Sequence, residues 1–534
     1  MYFPLIILYL LFWLFSINSL KNDFISSDKK FEEIYFGQAL YIRLDSTGIF
    51  TETTISNLNV PWEIAWGPDN WIWFTEQDGL VSKVNPETGE KKLLLKIPNV
   101  YRKRLGLLSM VIHPDLENFP YVFFNHLYLK ENEEIVSKLV RYDFHNDTLT
   151  NPVELFEIPG NTGHNGARIV IAPDGKIMWA TGDADLRNDE TNSGNAQHLN
   201  SMNGKILRLN IDGTIPEDNP YPGSAVWARG FRVPQGMVYN TNGLLYTAEH
   251  GDVIDDEVNI ITKGGNYGYP NVVGICDHPK ELEYCATHNI IPPLFAWTPT
   301  IAPAGIAFYN STAIPEWQNS IIMVTLKTQS FRVLKLDSTG TSVVSEEVYF
   351  NNSFGRLRDI CVSPAGDVYI STSNRDWNPG EGFPKETDDR IIKISKKMNV
   401  ENELDNQDIS GLNSSETMAK VNENPKFSAG QKIYQNYCSS CHKIDGSGLN
   451  GIFPPLKGSP KVSGDKDLLI NLVLKGISGS SHLKNSEYEQ EMPAFNFLSD
   501  QQITEVLNLI RKDFGNNSGL VSPQEVAKVR EVKQ

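Results

Sequence analysis

The feature that most constrains this chain is a short pattern that returns six times along it. An apolar run meets a turn rich in Pro, Asp, Asn and Gly, and a second β-rich apolar run follows. The copies are Ile64 to Asn70 before Trp71 to Phe74, Met110 to Asp115 before Tyr121 to Phe124, and Ile169 to Gly175 before Ile177 to Ala180. They continue as Met237 to Gly243 before Leu244 to Ala248, a looser Ile306 to Asn310 before Ile321 to Leu326, and Ile360 to Gly366 before Asp367 to Ser371. Asn-Gly and Asp-Gly turns between apolar runs are a strong hairpin signal, because both residues tolerate the positive φ that tight hairpin turns require. Six hairpins spaced about 45 to 70 residues apart predict radial repetition, each unit being one four-stranded blade. A large sandwich with irregular loops is the competing architecture. The regular copies, confined to residues 50–395, favour an all-β six-bladed β-propeller over residues 45–396.

The 534 residues exceed what one hydrophobic core sustains, so a further domain is expected. Residues 397–424 are polar, rich in Asn, Glu and Ser and free of aromatic residues, and read as a flexible linker. Beyond them the period changes. Ser499 and Gln502 have capping-box spacing, Ile503, Val506, Leu507 and Ile510 fall at helical intervals, and Gly515 stops the run. A small all-α domain is expected over 425–515, with a polar tail at 516–534.

The net charge of −17 argues against a nucleic-acid partner. Residues 425–534 carry 13 Lys and Arg against 11 Asp and Glu, so the acidity lies entirely in the rest of the chain. At the N-terminus, Phe3 to Phe15 is apolar and a polar stretch follows. The run is short for a membrane span, which needs about 20 residues. Residues 1–20 are therefore read as a signal peptide. The lack of a preceding Lys or Arg and of a small-x-small cleavage site keeps an uncleaved membrane anchor as the alternative. Export to the periplasm or outside the cell is the expectation.

Cys438-Ser439-Ser440-Cys441-His442 reads as a c-type haem attachment site. Two thiols bond the haem vinyl groups and the adjacent His reaches the iron. A redox dithiol or half of a zinc site is the competing reading. The first lacks its strand–helix context and the second lacks a further Cys pair. Met492, before the last helix of 425–515, is the candidate sixth iron ligand, with His482 as the substitute. His–Met ligation raises the potential and suits an electron acceptor. Residues 425–515 as a whole resemble a class I cytochrome c domain.

An electron-accepting haem implies a donor in the other domain, and no Rossmann glycine motif is present. GHNGARIVIAPDG (163–175) with Thr181-Gly182-Asp183, MNGKILRLNIDGTIPEDNP (202–220), GFRVPQG (230–236), EHGDVIDDEVNIITKGGNYGYPNV (249–272), PTIAP (299–303) and GRLRDI (355–360) resemble the soluble PQQ-dependent glucose and aldose-sugar dehydrogenases, in order over roughly residues 50–395. The resemblance implies a six-bladed propeller with pyrroloquinoline quinone (PQQ) and calcium in a central cleft. It implies His164 as the general base toward the sugar's anomeric hydroxyl, with Asp183 orienting it. Arg232, Lys327, Arg356 and Arg358 match the cationic ring around the three PQQ carboxylates. It places the PQQ-site calcium on Gly251 and Asp252, and a structural calcium on Glu257, Tyr267 and Asp277. An ordinary acidic loop is the alternative for the calcium residues.

Three positions depart from the family pattern. Val233 stands where an Asn bonds PQQ, Arg104 where a glutamine lies near the sugar, and Thr298 where the glucose enzyme has an aromatic residue. Cys276 and Cys285 are expected to pair in an oxidising compartment, and Cys361 to lie in the core. The function expected is oxidation of an aldose sugar to its lactone. Electrons would pass to the fused haem and on to an external cytochrome, oxidase or quinone. A ligand- or protein-binding propeller that has lost PQQ is the rival reading.

Overall fold

A computed structural model of the chain describes residues 33–36, 39–184, 195–277, 279–376, 378–380, 382–397, 428–443, 445–448, 453–477, 492, 494–496 and 498–531. The expected leader, nearly all of the linker, and His482 lie outside the described residues.

Each of the six hairpins forms the two inner strands of one blade. Their innermost strands are Pro61–Trp66, Leu107–Ile112, Gly166–Ile171, Val233–Tyr239, Pro303–Tyr309 and Leu357–Val362. These abut one another in a ring, the last packing against the first. Blades 1 to 5 add three further antiparallel strands outward in chain order. The chain turns where the sequence expects. Gly175 and Gly243 hold φ of 78° and 82° with open space around the Cβ position, so their role there is conformational rather than steric.

The sixth blade is built from both ends of the propeller. Ile391–Lys397 pairs on one side with Val368–Thr372 and on the other with Gly48–Ile55, Ile394 lying opposite Thr51. The sheet continues into Ala39–Arg43 and Glu33–Phe36, ahead of residue 45, where the propeller is expected to begin. Wide apolar side chains fill the seams between blades. Trp73, Trp179 and Trp317 are fully buried, each in a different core cluster.

Arg168 plugs the middle of the ring. From the inner strand of blade 3, its Nη2 donates to Asp359 of blade 6 at 2.8 Å and its Nε to the Gln235 carbonyl of blade 4 at 3.0 Å, while Nη1 pairs with Glu63 of blade 1. Asp359 also accepts from the Ile64 amide at 2.7 Å. A buried guanidinium with this many charged partners holds its proton more tightly than usual: burial opposes the charge, but Asp359 and Glu63 outweigh it. Antiparallel pairing puts the loops that enter the innermost strands at the same end as those joining second to third strands. That end carries His164, Asp183, Arg232, Gly251, Asp252, Lys327 and Arg356.

The C-terminal region is helical. Ala429–Tyr437, Lys466–Lys475 and Asp500–Lys512 surround a core that includes Ile470, Phe495, Ile503 and Leu507. Ser499 and Gln502 form the expected capping box, and Ser428 with Gln431 forms a second. The expected polar tail contains a further helix, Pro523–Glu531, which buries Val526 in this core. No helix among the described residues is long and apolar enough to cross a membrane.

Candidate active site

His164 sits in the loop entering blade 3 with a left-handed backbone, φ 53°. Its carbonyl accepts the Ala184 amide at 3.0 Å, and a Cβ on Gly182 would collide with that carbonyl oxygen. Glycine at 182 therefore lets the two loops touch, which brings Asp183 to the imidazole. His164 Nδ1 lies 3.1 Å from Asp183 Oδ1, while Arg232 Nη2 approaches His164 Nε2 at 3.4 Å. A guanidinium can only donate, so Nε2 is the acceptor nitrogen and the ring proton lies on Nδ1, facing the carboxylate. Nε2 is thus the basic atom. The sequence-expected pair is brought together.

The four expected cations line the same end. Arg232, Arg356 and Arg358 are buried, and Lys327 is half-buried with its Nζ donating to Thr300 at 2.7 Å. Burial lowers the Arg356 pKa and brings Arg358 down to about 10; burial also lowers Lys327. Arg356 Nε and Arg232 Nε are buried with no hydrogen-bond partner. Buried orphan donors on cations are costly without an acceptor. Such donors fit an anionic, carboxylate-bearing cofactor of the kind the resemblance implies.

Two neighbours of these cations, Asp376 and Trp62, lie outside the motifs, and a third, His250, lies inside one without an assigned role. Asp376 accepts from Arg358 at 2.6 Å and lies 3.7 Å from Arg356, holding the two guanidinia together. The Trp62 ring lies under Arg358, its centroid 3.9 Å from the guanidinium carbon. His250 is half-buried, its Nε2 2.8 Å from the Pro303 carbonyl, and desolvation followed by the charge of Arg232 brings its pKa down to about 3. Neutral at working pH, His250 adds no charge to a cationic site. Charged residues inside apolar strands, such as Glu63 and Arg168, are the one signal that could have found this layer.

The residues assigned to calcium make bonds within the protein. The Gly251 carbonyl and Asp252 Oδ1 are both engaged by Arg232, at 2.8 and 2.9 Å. Glu257 accepts from the Gly274 amide at 2.6 Å and from Asn259 at 2.9 Å, and burial raises its pKa to about 7. The Tyr267 ring stacks on Phe231, and Asp277 is exposed. Among the described residues no three His, Cys, Asp or Glu side chains converge in a metal-binding group. Several of the groups assigned to calcium are thus taken up by protein partners, and no chemical step is routed through the ion.

Of the departures, Val233 is buried and opens the inner strand of blade 4 opposite His250. The Arg104 carbonyl accepts from Gln77 at 2.7 Å, in the loop that enters blade 2. The Thr298 hydroxyl bonds the Asp255 carboxylate, and the Asp255 amide donates back at 3.1 Å. Cys276 and Cys285 form a disulfide, and Cys361 is a buried free thiol.

In the helical domain Cys438 and Cys441 form no disulfide and His442 follows on the same turn. The His442 Nδ1–H donates to the Pro454 carbonyl at 2.8 Å, which leaves Nε2 for iron. A fixed tautomer beside two thiols outside any disulfide fits covalent haem. Met492 is half-buried against the helical core and bridges Ile477 through its backbone.

The match to known proteins follows this division. Residues 58–378 match the family model described as Glucose / Sorbosone dehydrogenase. The chain belongs to that family. Residues 427–512 match Cytochrome c. A quinoprotein glucose dehydrogenase B of Acinetobacter calcoaceticus is 32% identical over 428 residues, covering 64% of this chain and 89% of the relative. The PQQ-bound aldose sugar dehydrogenase of Streptomyces coelicolor superposes with a TM-score of 0.56 at 28% identity, covering 66% of this chain and 99% of the other. The cytochrome c subunit of a quinone-type alcohol dehydrogenase from Gluconobacter oxydans is 40% identical over 124 residues, which span 22% of this chain and 26% of that subunit. The chain thus joins an oxidoreductase propeller to a cytochrome c domain.

Proposed function

We propose that the chain is a PQQ-dependent dehydrogenase that oxidises an aldose sugar at the anomeric carbon to the lactone and delivers the electrons to its own c-type haem. The observation that carries this reading is the His164–Asp183 pair set beside buried arginines, two of which keep an Nε donor without a partner, at one end of the propeller. His164 Nε2 would accept the proton of the anomeric hydroxyl, and Asp183 would balance the imidazolium that results. Arg356 and Arg358 would hold carboxylates of the quinone, with Arg232 fixing its orientation beside His164. When bound, the quinone supplies a two-electron acceptor for the hydrogen on the sugar carbon. Each sugar yields two electrons and two protons, so two ferric haem equivalents become ferrous, one after another, and are reoxidised by an external cytochrome, oxidase or quinone.

Loading the full chain with PQQ, with and without calcium, and following the haem band after mixing with aldoses tests the proposal. Reduction of haem at a rate independent of protein concentration is expected, because donor and acceptor share one chain. A rate proportional to concentration would place the transfer between molecules. No reduction by any of a broad panel of aldoses would favour a binding propeller. Export is part of the same proposal, supported by the Cys276–Cys285 disulfide.

A further inference from the structure

Among the described residues the propeller and the helical domain meet around Val253. Val253, at the tip of the loop that follows Gly251 and Asp252, packs against the apolar core of the helical domain. A cleft beside it is lined by Asp252, Val253, Ile254, Val273 and Glu281 from the propeller and by Ala494 and Asn496 from the other side. Lys327 of blade 5 and the haem-attaching Cys438 are close enough to influence one another's charge, as are Lys327 and Cys441. The thiols that would carry haem therefore lie within electrostatic range of Lys327. The platform under the seat is a segment that the blade repeat does not require: Cys276 and Cys285 clip the helix Pro279–His288 onto the rim, and Glu281 of that helix accepts from the Val273 amide at 3.2 Å.

Resting on the function proposed above, we propose that the loop tip Asp252–Val253–Ile254, backed by the disulfide-clipped helix, is the docking seat of this chain's own cytochrome domain, with Val253 as its apolar anchor. The occupant is already seated on it in the structure. Val253 is the sole propeller residue among the described apolar side chains packed on that core, so the apolar contact is narrow. Weak contact suffices, because a tether of about 30 residues keeps the partner at an effective concentration in the millimolar range. It also allows release, which the haem needs in order to pass each electron onward. The propeller side of the cleft is acidic through Asp252 and Glu281, and Asn496 opposite them is neutral. A cation at 496 should hold the domain longer, and an anion should repel it.

The test uses the full-length, haem-bearing protein. Val253→Asp places a charge in the apolar contact. Sugar oxidation with a small dye acceptor should stay within twofold of wild type, while haem reduction after sugar addition slows at least tenfold. Small-angle scattering, which needs no turnover, should show a larger radius of gyration for the variant. Asn496→Glu, on the other domain, should also slow haem reduction, and Asn496→Lys should not. Unchanged haem reduction and unchanged dimensions in Val253→Asp would overturn the seat. If Val253→Asp also loses dye activity, the Asn496 pair decides: equal rates for Glu and Lys would overturn the proposal. Absence of dye activity in the wild type would refute the sugar dehydrogenase reading instead, and scattering would still decide the seat.

Discussion

The Nδ1 of His164 lies 3.1 Å from a carboxylate oxygen of Asp183, nineteen residues on in sequence, and Gly182 makes that approach sterically possible. The side chain of Asp183 is 2% exposed, that of His164 25%. A buried carboxylate behind a half-open imidazole fixes the tautomer and leaves the other nitrogen facing the cleft. His164→Gln should keep its place in the loop and bind PQQ as before, with turnover lowered by about 10² or more, the scale of a positioned general base. Near-normal turnover in a variant shown to be loaded would remove His164 from the mechanism.

Arg356 brings a buried Nε that lacks a partner. Its replacement by Ala should weaken the quinone roughly 10- to 100-fold, the range for one charge-assisted hydrogen bond at 1.5 to 3 kcal/mol. Thermal stability of the unloaded protein should hardly fall, since an orphan donor is removed. Titration of PQQ against both proteins measures the first effect and a melting curve the second.

Met492 is placed beside the haem peptide's core but not by geometry at iron. Met492→Ala should leave haem covalently bound through Cys438 and Cys441 and lower its potential. A redox titration and the visible spectrum report the change. Identical values for both proteins would assign the sixth position elsewhere, His482 being the alternative.

Glu257 gives the molecule a pH dependence. Burial raises its pKa from the ordinary 4.5 to about 7, and Glu249 beside it is also raised well above the ordinary value by burial and by Glu257. The folded state therefore binds protons that the unfolded chain has released. Stability from this pair is fully present below about pH 4.5 and declines as pH rises toward and through 7. Glu257→Gln, which can still accept from the Gly274 amide, should flatten that decline. Melting temperatures of both proteins between pH 5 and 8 provide the check, and parallel curves would exclude Glu257 as the source.

The architecture was legible wherever a hairpin carried its own signal. All six turn patterns mark inner strand pairs, because strand propensity, alternation and positive-φ residues agree within about ten residues of sequence. The strands Glu33–Phe36 and Ala39–Arg43 were not legible, since nothing local says that this edge completes a blade begun more than 300 residues later. In the candidate site, the residues that the structure gathers at one end, His164, Asp183, Arg232 and Arg358, stand inside long motifs. Asp376 does not, for it stands alone in sequence and acquires meaning only from the two guanidinia that it holds. Arg168 reads as one motif letter among many, yet in space it ties four blades together.

The sixth blade sets the order in which the molecule can be made. Thr51 cannot find Ile394 until nearly all of the propeller has been synthesised, so closing the ring means closing a loop of over 300 residues. Contacts of such long range slow folding. Until residue 397 emerges, five blades wait with an open edge at each end, both able to pair with another chain. The cytochrome sequence follows that last strand with only the linker between. A chain cut short by a few residues before 397 should therefore lose closure of the whole ring, whereas one ending inside the linker should keep it.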